Sequence, residues 1–271
     1  MVVSLRADTD EVRVHFLNVG QGDAVLIETN NAGQVLIDAG RGIKVLDELD
    51  NILPMHDREI EVVVMTHPDA DHVGGFIPVF RQYDTNTIIR SFVESKTSVW
   101  KKVKEEIQKE LKDGAKEHVI TRAYSFSLNG AKFDILWPLN EEVKETNAAS
   151  VILLMTYGDN KVLLTGDANM AVEDKMVSIF GGLIEDVDIL KAGHHGSKTS
   201  TSALFLNHTK PNAIVYSASE HNRYGHPHDI VRERVLVYSE HHPEQQLQEY
   251  ETKDGAISFC LNRTIFKECD A

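Results

Sequence analysis

The sequence predicts an α/β protein, a four-layer αββα sandwich, on three observations. Apolar runs of mostly four to six residues, rich in Val, Ile and Leu and bounded by Gly, Asp or Asn, recur along the chain as buried strands do. Turn sequences at Asn30-Asn31-Ala32-Gly33 and Gly158-Asp159-Asn160 join neighbouring runs as antiparallel hairpins. Two strand ends also look alike: Val35-Leu36-Ile37-Asp38-Ala39-Gly40 and Val162-Leu163-Leu164-Thr165-Gly166-Asp167 each run apolar and then present an aspartate. That likeness suggests two related halves, each a sheet with covering helices, packed sheet to sheet.

The expected strands are 12–17, 24–27, 34–37, 62–65, 151–155, 162–164, 189–190 and 213–216. Residues 101–112 read as an amphipathic helix, with Val103, Ile107 and Leu111 on one face and charges elsewhere. No low-complexity stretch or Pro/Ser-rich linker interrupts the chain, so one domain over residues 1–271 is expected.

Charge narrows the function classes. Twenty-eight Lys and Arg against 42 Asp and Glu leave 271 residues at −14. This counts against a simple basic nucleic-acid binder and gives no support to an anionic-membrane partner. It suits a cation-binding protein or an enzyme whose metal supplies positive charge. A hydrophobic fraction of 42% with 26% charged residues excludes wholesale disorder. Cys260 and Cys269 form neither a disulfide framework nor a cysteine zinc site, which makes a reducing compartment the default. The N-terminus shows no signal-peptide pattern, and no apolar run approaches the roughly 20 residues of a membrane span. A soluble, cytoplasmic protein is expected.

The densest chemistry lies in Val62-Val63-Val64-Met65-Thr66-His67-Pro68-Asp69-Ala70-Asp71-His72-Val73-Gly74-Gly75. A buried strand runs into a loop with four candidate metal ligands, His67, Asp69, Asp71 and His72. Pro68 ends the strand's hydrogen bonding, and the resulting turn lets His67 and Asp69 converge. Asp71 and His72 are adjacent, so an irregular or helix-starting backbone must aim both at a second point. Imidazole and carboxylate suit Zn²⁺, Mn²⁺ and Fe²⁺.

This segment resembles the H-x-H-x-D-H signature of metallo-β-lactamase-fold hydrolases, with Asp69 in the place of the second histidine. Together with Leu17-Asn18-Val19-Gly20-Gln21-Gly22-Asp23-Ala24 and His194-His195-Gly196-Ser197, it resembles the metallo-β-lactamase-like domain of the ComEC competence proteins in free-standing form. The resemblance covers about residues 12–257 and closes on Asp254-Gly255-Ala256-Ile257. It implies two divalent ions, with His67 and Asp69 serving the first, Asp71 and His72 the second, and Asp167 bridging both. His226 is the candidate terminal histidine of the second ion, ahead of His228. Asp38 supports the metal loop through hydrogen bonds. The family's third histidine of the first site is absent, and Asn147 or Ser150 stands there. That oxygen-rich set leaves the metal open between Mn²⁺ and Zn²⁺.

The same resemblance implies hydrolysis by a metal-bridged hydroxide, with Asp71 among the catalytic residues and His194 or His195 as general acid. Lys191 reads either as a phosphate contact or as a surface lysine. Ser197, Thr199 and Ser200 look like a helix N-terminus. Gln21 and Asp23 occupy a turn that the family places beside the metals, and Asn222, Arg223 and Tyr224 are candidates for a lid. The leading expectation is a metal-dependent phosphodiesterase or nuclease acting on DNA, another nucleic acid or a nucleotide. The alternatives are a small-molecule hydrolase (lactone, thioester or cyclic nucleotide) on the same site, and a catalytically silent binding module.

Overall fold

The computed structural model describes residues 10–269. The first half contains β1 (Val12–Phe16), β2 (Val25–Glu28), β3 (Gln34–Ile37), α1 (Lys44–Ile52), β4 (Glu59–Met65), α2 (Ala70–Val73), α3 (Phe76–Val79), β5 (Asp84–Ser91), α4 (Ser98–Asp113) and β6 (Lys116–Ile120). The second contains β7 (Tyr124–Leu128), β8 (Ala131–Trp137), β9 (Ile152–Tyr157), β10 (Asn160–Leu164), α5 (Met170–Ile184), β11 (Ile189–Lys191), α6 (Ala203–Thr209), β12 (Ala213–Tyr216), α7 (Asp229–His241) and β13 (Gln248–Glu251). Strands β14 (Ile257–Leu261) and β15 (Phe266–Glu268) return to the first sheet, whose order is β15-β14-β1-β2-β3-β4-β5-β6. The second sheet runs β13-β12-β11-β10-β9-β8-β7.

Alternation explains the layering. In β4, Val62 and Val64 face the second sheet, where Phe133, Leu153, Val162 and Leu164 meet them. Val63 and Met65 face the opposite way, against Val45, Phe76 and Trp100 of the covering helices. Leu163 and Leu190 likewise face Met176, Phe205 and Val235 on the far side of the second sheet. Strands covered on both faces read as continuous aliphatic runs, which is why these were the ones visible in the sequence. The arrangement is the αββα sandwich. Its two sheets repeat one plan: an antiparallel hairpin, β2-β3 or β9-β10, followed by the parallel strands β4 or β11.

Two local expectations are corrected. Ser197, Thr199 and Ser200 do not open a helix; α6 starts at Ala203, where Ser202 accepts from the Phe205 N–H. Thr201 at φ 53° interrupts any helix before that point. The cysteines are joined as a Cys260–Cys269 disulfide with Cα atoms 5.1 Å apart. The turn that folds β15 back antiparallel on β14 brings them together, which removes the cysteine argument for a reducing compartment. No helix among the described residues is long and apolar enough to cross a membrane.

Two glycines hold the loops around the site in place. At Gly22 (φ 133°) a Cβ would lie 2.0 Å from the Asp71 carbonyl oxygen, and at Gly75 it would lie 1.9 Å from that of Ala39. Gly75 has an ordinary φ, so its requirement is space alone. Gly42 has φ 86° but open surroundings. Gly75→Ala is therefore expected to cost about 2 kcal/mol or more from overpacking. Gly42→Ala should cost about 1 kcal/mol from its left-handed backbone. Denaturant unfolding of both variants checks this ranking, and equal losses would contradict it.

Candidate metal centre

The strand ends β3, β4, β10 and β11 meet along one edge of the sandwich, and each delivers a polar residue there. Asp38 follows β3. Its Oδ1 accepts from the Thr66 N–H at 2.8 Å, and its Oδ2 accepts from the Thr66 hydroxyl at 2.6 Å. Because that hydroxyl proton is committed to Asp38, Thr66 Oγ1 can only accept from His67 Nδ1–H, 3.0 Å away. His67 Nε2 then carries a lone pair, buried and without a hydrogen-bond partner.

Carboxylates also stand behind His72 and His195, hydrogen-bonded to the first ring and within ion-pair distance of the second. His72 Nδ1 donates to Asp38 Oδ2 at 2.7 Å, and His195 Nδ1 lies 3.1 Å from Asp23 Oδ1. Their Nε2 atoms face each other at 3.3 Å. A carboxylate behind each imidazole, with the far nitrogens converging, is how proteins aim histidines at a metal. One donor atom from each of Asp23, His72, Asp167 and His195 falls within 4.8 Å of the others, and all four residues are buried.

Asp167 stands between two pairs of rings. Its Oδ1 is 3.3 Å from His72 Nε2 and 3.5 Å from His195 Nε2. Its Oδ2 is 3.7 Å from His67 Nε2 and 3.5 Å from His194 Nε2. The open side of the His67–His194 pair carries Asp69, with Oδ2 3.9 Å from His67 Nε2. Beside the His72–His195 pair lies Asp71, with Oδ2 3.9 Å from His195 Nε2. Ser150 holds the centre together: its hydroxyl accepts from the Asp167 N–H at 3.1 Å and lies 3.3 Å from His67 Nδ1.

The electrostatics favour positive charge at this point. Burial works against ionising Asp167, but the surrounding imidazoles, His195 and His72 foremost, hold its carboxyl well below the usual range. Burial likewise opposes a charged His72, and Asp167 with Asp38 outweighs it, raising that imidazole well above its ordinary value. The unpartnered nitrogen of His67, the unbonded Asp167 Oδ1 and the converging Nε2 atoms together fit divalent cations.

Several sequence-predicted residues fall in unexpected places. His194 and His195 both adopt left-handed backbone, φ 48° and 56°, between Gly193 and Gly196. This strained pair sends adjacent rings to opposite sides of Asp167. His194 thereby occupies the side where the sequence offered only Asn147 or Ser150, and Asn147 Nδ2 lies 3.4 Å from its ring. His226 lies outside the buried cluster, its ring centroid 6.2 Å from that of His195, and it stacks with Tyr224 at 5.6 Å. Asn222 fixes its backbone, accepting from the His226 N–H at 2.8 Å. Ser197 bonds its neighbour Thr199 at 3.0 Å rather than reaching the centre.

Lys191 is buried, not on the surface. Its ammonium lies 2.7 Å from Asp23 Oδ2 and donates to the carbonyls of Gly166 and Ala192. Against the burial that would raise it, this lysine and His195 hold the Asp23 carboxyl well below its usual range. Asp23 was the residue whose weight the sequence understated. Its signal was the pair Gly20 and Gly22, which lets the turn press against Asp71, with the Asp23 N–H donating to the Asp71 carbonyl at 3.2 Å.

The Metallo-beta-lactamase superfamily model matches residues 17–221. Recombination protein 2 of Haemophilus influenzae is 35% identical over 231 residues, covering 83% of this chain and 26% of its own length. ComE operon protein 3 of Bacillus subtilis is 25% identical over 250 residues, covering 85% of this chain and 31% of its own length. The chain thus spans between about a quarter and a third of these relatives. Zn²⁺-bound PqqB from Methylobacterium extorquens shares the fold at TM-score 0.56 and 12% identity, over 93% of this chain and 99% of its own. On the sequence match and the αββα architecture alike, the chain belongs to the metallo-β-lactamase superfamily.

Proposed function

We propose that this protein is a metal-dependent phosphodiesterase acting on nucleic acid with two divalent cations, Mn²⁺ or Zn²⁺. One observation carries the reading: Asp167 presents one oxygen to His72 and His195 and the other to His67 and His194. His67, His194 and Asp69 would hold one cation, His72, His195 and Asp71 the other, and Asp167 would serve both. Two imidazoles with two carboxylates on each side suit Zn²⁺ as well as Mn²⁺, so the oxygen-rich argument for manganese loses its force. Bound there, the cations would activate water and neutralise charge developing on the substrate.

The remaining residues position this machinery. Asp38 and Asp23 fix the rings of His72 and His195, and Ser150 fixes Asp167 and His67. His195 is buried against Asp167, while His194 keeps a partly exposed ring and remains the candidate proton donor of the pair. His226 stands further out, its ring packed edge-on against His194 at 5.5 Å and its Nδ1 buried without a hydrogen-bond partner. Relatives named for recombination and competence support a nucleic-acid substrate over a lactone or thioester.

Four experiments test this reading and the residues that support it. Protein stripped with a chelator and resupplied with Mn²⁺ or Zn²⁺ should melt at higher temperature and hydrolyse bis(4-nitrophenyl) phosphate and at least one of single-stranded DNA, duplex DNA or RNA. Asp167→Ala should lose both responses; a variant that keeps the activity would remove Asp167 from the mechanism, and lactone or thioester cleavage without diester cleavage would replace the substrate class. Asp38→Ala should weaken metal affinity about 10–100-fold, measured by chelator competition. Lys191→Met should cost about 3–5 kcal/mol in denaturant unfolding, because it leaves Asp23 buried and uncompensated. Adding Asp23→Asn should recover part of that loss, and a single variant as stable as the parent would show that Asp23 does not need the lysine.

A further inference from the structure

Beside Asp71 opens a cavity of about 310 Å³, lined by Gln21, Arg41, Asp71, Asn222, Arg223 and Tyr224 among others. Its walls come from separate elements: the β1–β2 turn, the loop after β3, the start of α2 and the loop between β12 and α7. The arginines at 13, 58, 81, 90, 232 and 263 all rest on carboxylates. Among the described residues, Arg41, Arg122, Arg223 and Arg234 form no such ion pair, and two of them, Arg41 and Arg223, stand at this cavity. Arg41 is exposed and makes no ion pair with another described residue. Arg223 spends its guanidinium on Tyr224, donating to the phenol oxygen at 2.7 Å and lying 4.9 Å over the ring. In a chain of net charge −14, two arginines without a close ion pair share one cavity, where Asp71 is the carboxylate in the lining.

The rest of the lining is equally specific. Tyr224 is 47% exposed yet held in place, its ring stacked on His226, which in turn packs edge-on to His194. Gln21 Oε1 is buried without a hydrogen-bond partner, an acceptor left for something that brings a donor. Guanidinium groups match phosphate oxygens, a half-exposed aromatic ring matches a nucleobase, and a free acceptor matches a base N–H.

We infer that this cavity is a subsite for one unpaired nucleotide of a strand whose neighbouring phosphodiester lies at the metal centre. Arg41 and Arg223 take its phosphate, Arg223 swinging off the Tyr224 ring so that the base stacks in its place, and Gln21 accepts from the base edge. The inference rests on the phosphodiesterase reading and narrows its substrate to single-stranded nucleic acid. At the small end of ligand pockets, roughly 300–1,000 Å³, the cavity has room for one nucleotide and none for paired strands. A base must also leave its stack to lie on Tyr224, which a duplex resists.

The test reads binding without turnover, on the full, metal-loaded chain, by fluorescence anisotropy of a short labelled oligothymidylate phosphorothioate that resists cleavage. Arg41→Gln and Arg223→Gln should each weaken binding and flatten the log K against log salt slope by about 0.7, one phosphate contact on a single strand. Tyr224→Ala should weaken it about 10-fold, and Tyr224→Phe should retain it. The same strand annealed to its complement should bind more weakly and without dependence on Tyr224. Thymidine 5′-monophosphate as competitor separates a free nucleotide from a strand, and competition that requires Arg41 and Tyr224 supports the site for either source. Melting temperatures should match the parent, since all three side chains are exposed. Unchanged binding in these variants, or duplex binding equal to the single strand, overturns the subsite. If no diester is hydrolysed but binding still needs Arg41 and Tyr224, the subsite stands and the catalytic reading falls. Diester hydrolysis with variant-insensitive binding does the opposite, removing the subsite and keeping the phosphodiesterase.

Discussion

Burying negative charge without a matching fixed cation is the constraint on which this site depends. Asp23, Asp38 and Asp167 all lie inside the protein, where an unpaired carboxylate costs several kcal/mol. Each is resolved differently. Asp38 accepts from a backbone N–H, a hydroxyl and an imidazole, and is satisfied by hydrogen bonds. Asp23 has the ammonium of Lys191. Asp167 has only imidazoles, which are charged or neutral as circumstances require. The carboxylates behind His72 and His195 settle the question of where positive charge belongs. It belongs on the Nε2 side of both rings, next to Asp167.

That outcome grows from two halves that start alike and end differently. β3 and β10 each close a hairpin and pair in parallel with the next strand, Ile37 opposite Val64 and Leu163 opposite Leu190. Each hairpin strand is followed by an aspartate, and each parallel strand by a histidine-bearing turn. In the first half Thr66 follows the strand and consumes Asp38, so that carboxylate becomes support for His72. In the second, Thr165 donates to the Lys191 carbonyl instead, and Gly166 carries the chain on to an Asp167 whose oxygens stay open. A symmetric frame thus yields one carboxylate that orients and one that can hold cations.

This also explains what could be read from the sequence. The aliphatic strands covered on both faces, the two Asp-ended hairpins and the dense run from His67 to His72 have local signatures, and the layered fold follows from them. Strands such as β6 and β7, polar and half-exposed, carry no such signature. The disulfide was hidden because it depends on the pairing of β14 with β15 rather than on cysteine spacing. His194 and His195 were visible as a motif, but their roles depend on two consecutive left-handed residues, a backbone state that sequence discloses only through the flanking glycines. The place of Lys191 is hidden for a similar reason. Its burial is set by Asp23, a residue 168 positions earlier in the chain. Arg41, between two glycines just after Asp38, drew no notice because it belongs to no ligand pattern.

The net charge of −14 reads differently once these positions are known. Exposed charges interact weakly beyond about 8 Å at physiological salt, so acidity on remote faces does little at the mouth of the site. Much of it is also engaged locally, as where Glu106 is gripped by Arg81 and Lys109, or Glu94 by Arg90 and Lys104. What an approaching phosphate would meet within that range is Arg41 and Arg223, the carboxylates of Asp69 and Asp71, and whatever cations those carboxylates and Asp167 would hold. The same acidity still opposes a long polyanion laid across the surface. Under the proposed function, these together favour a substrate engaged over a nucleotide or two at the candidate metal edge, held by local contacts rather than by the field of the whole molecule.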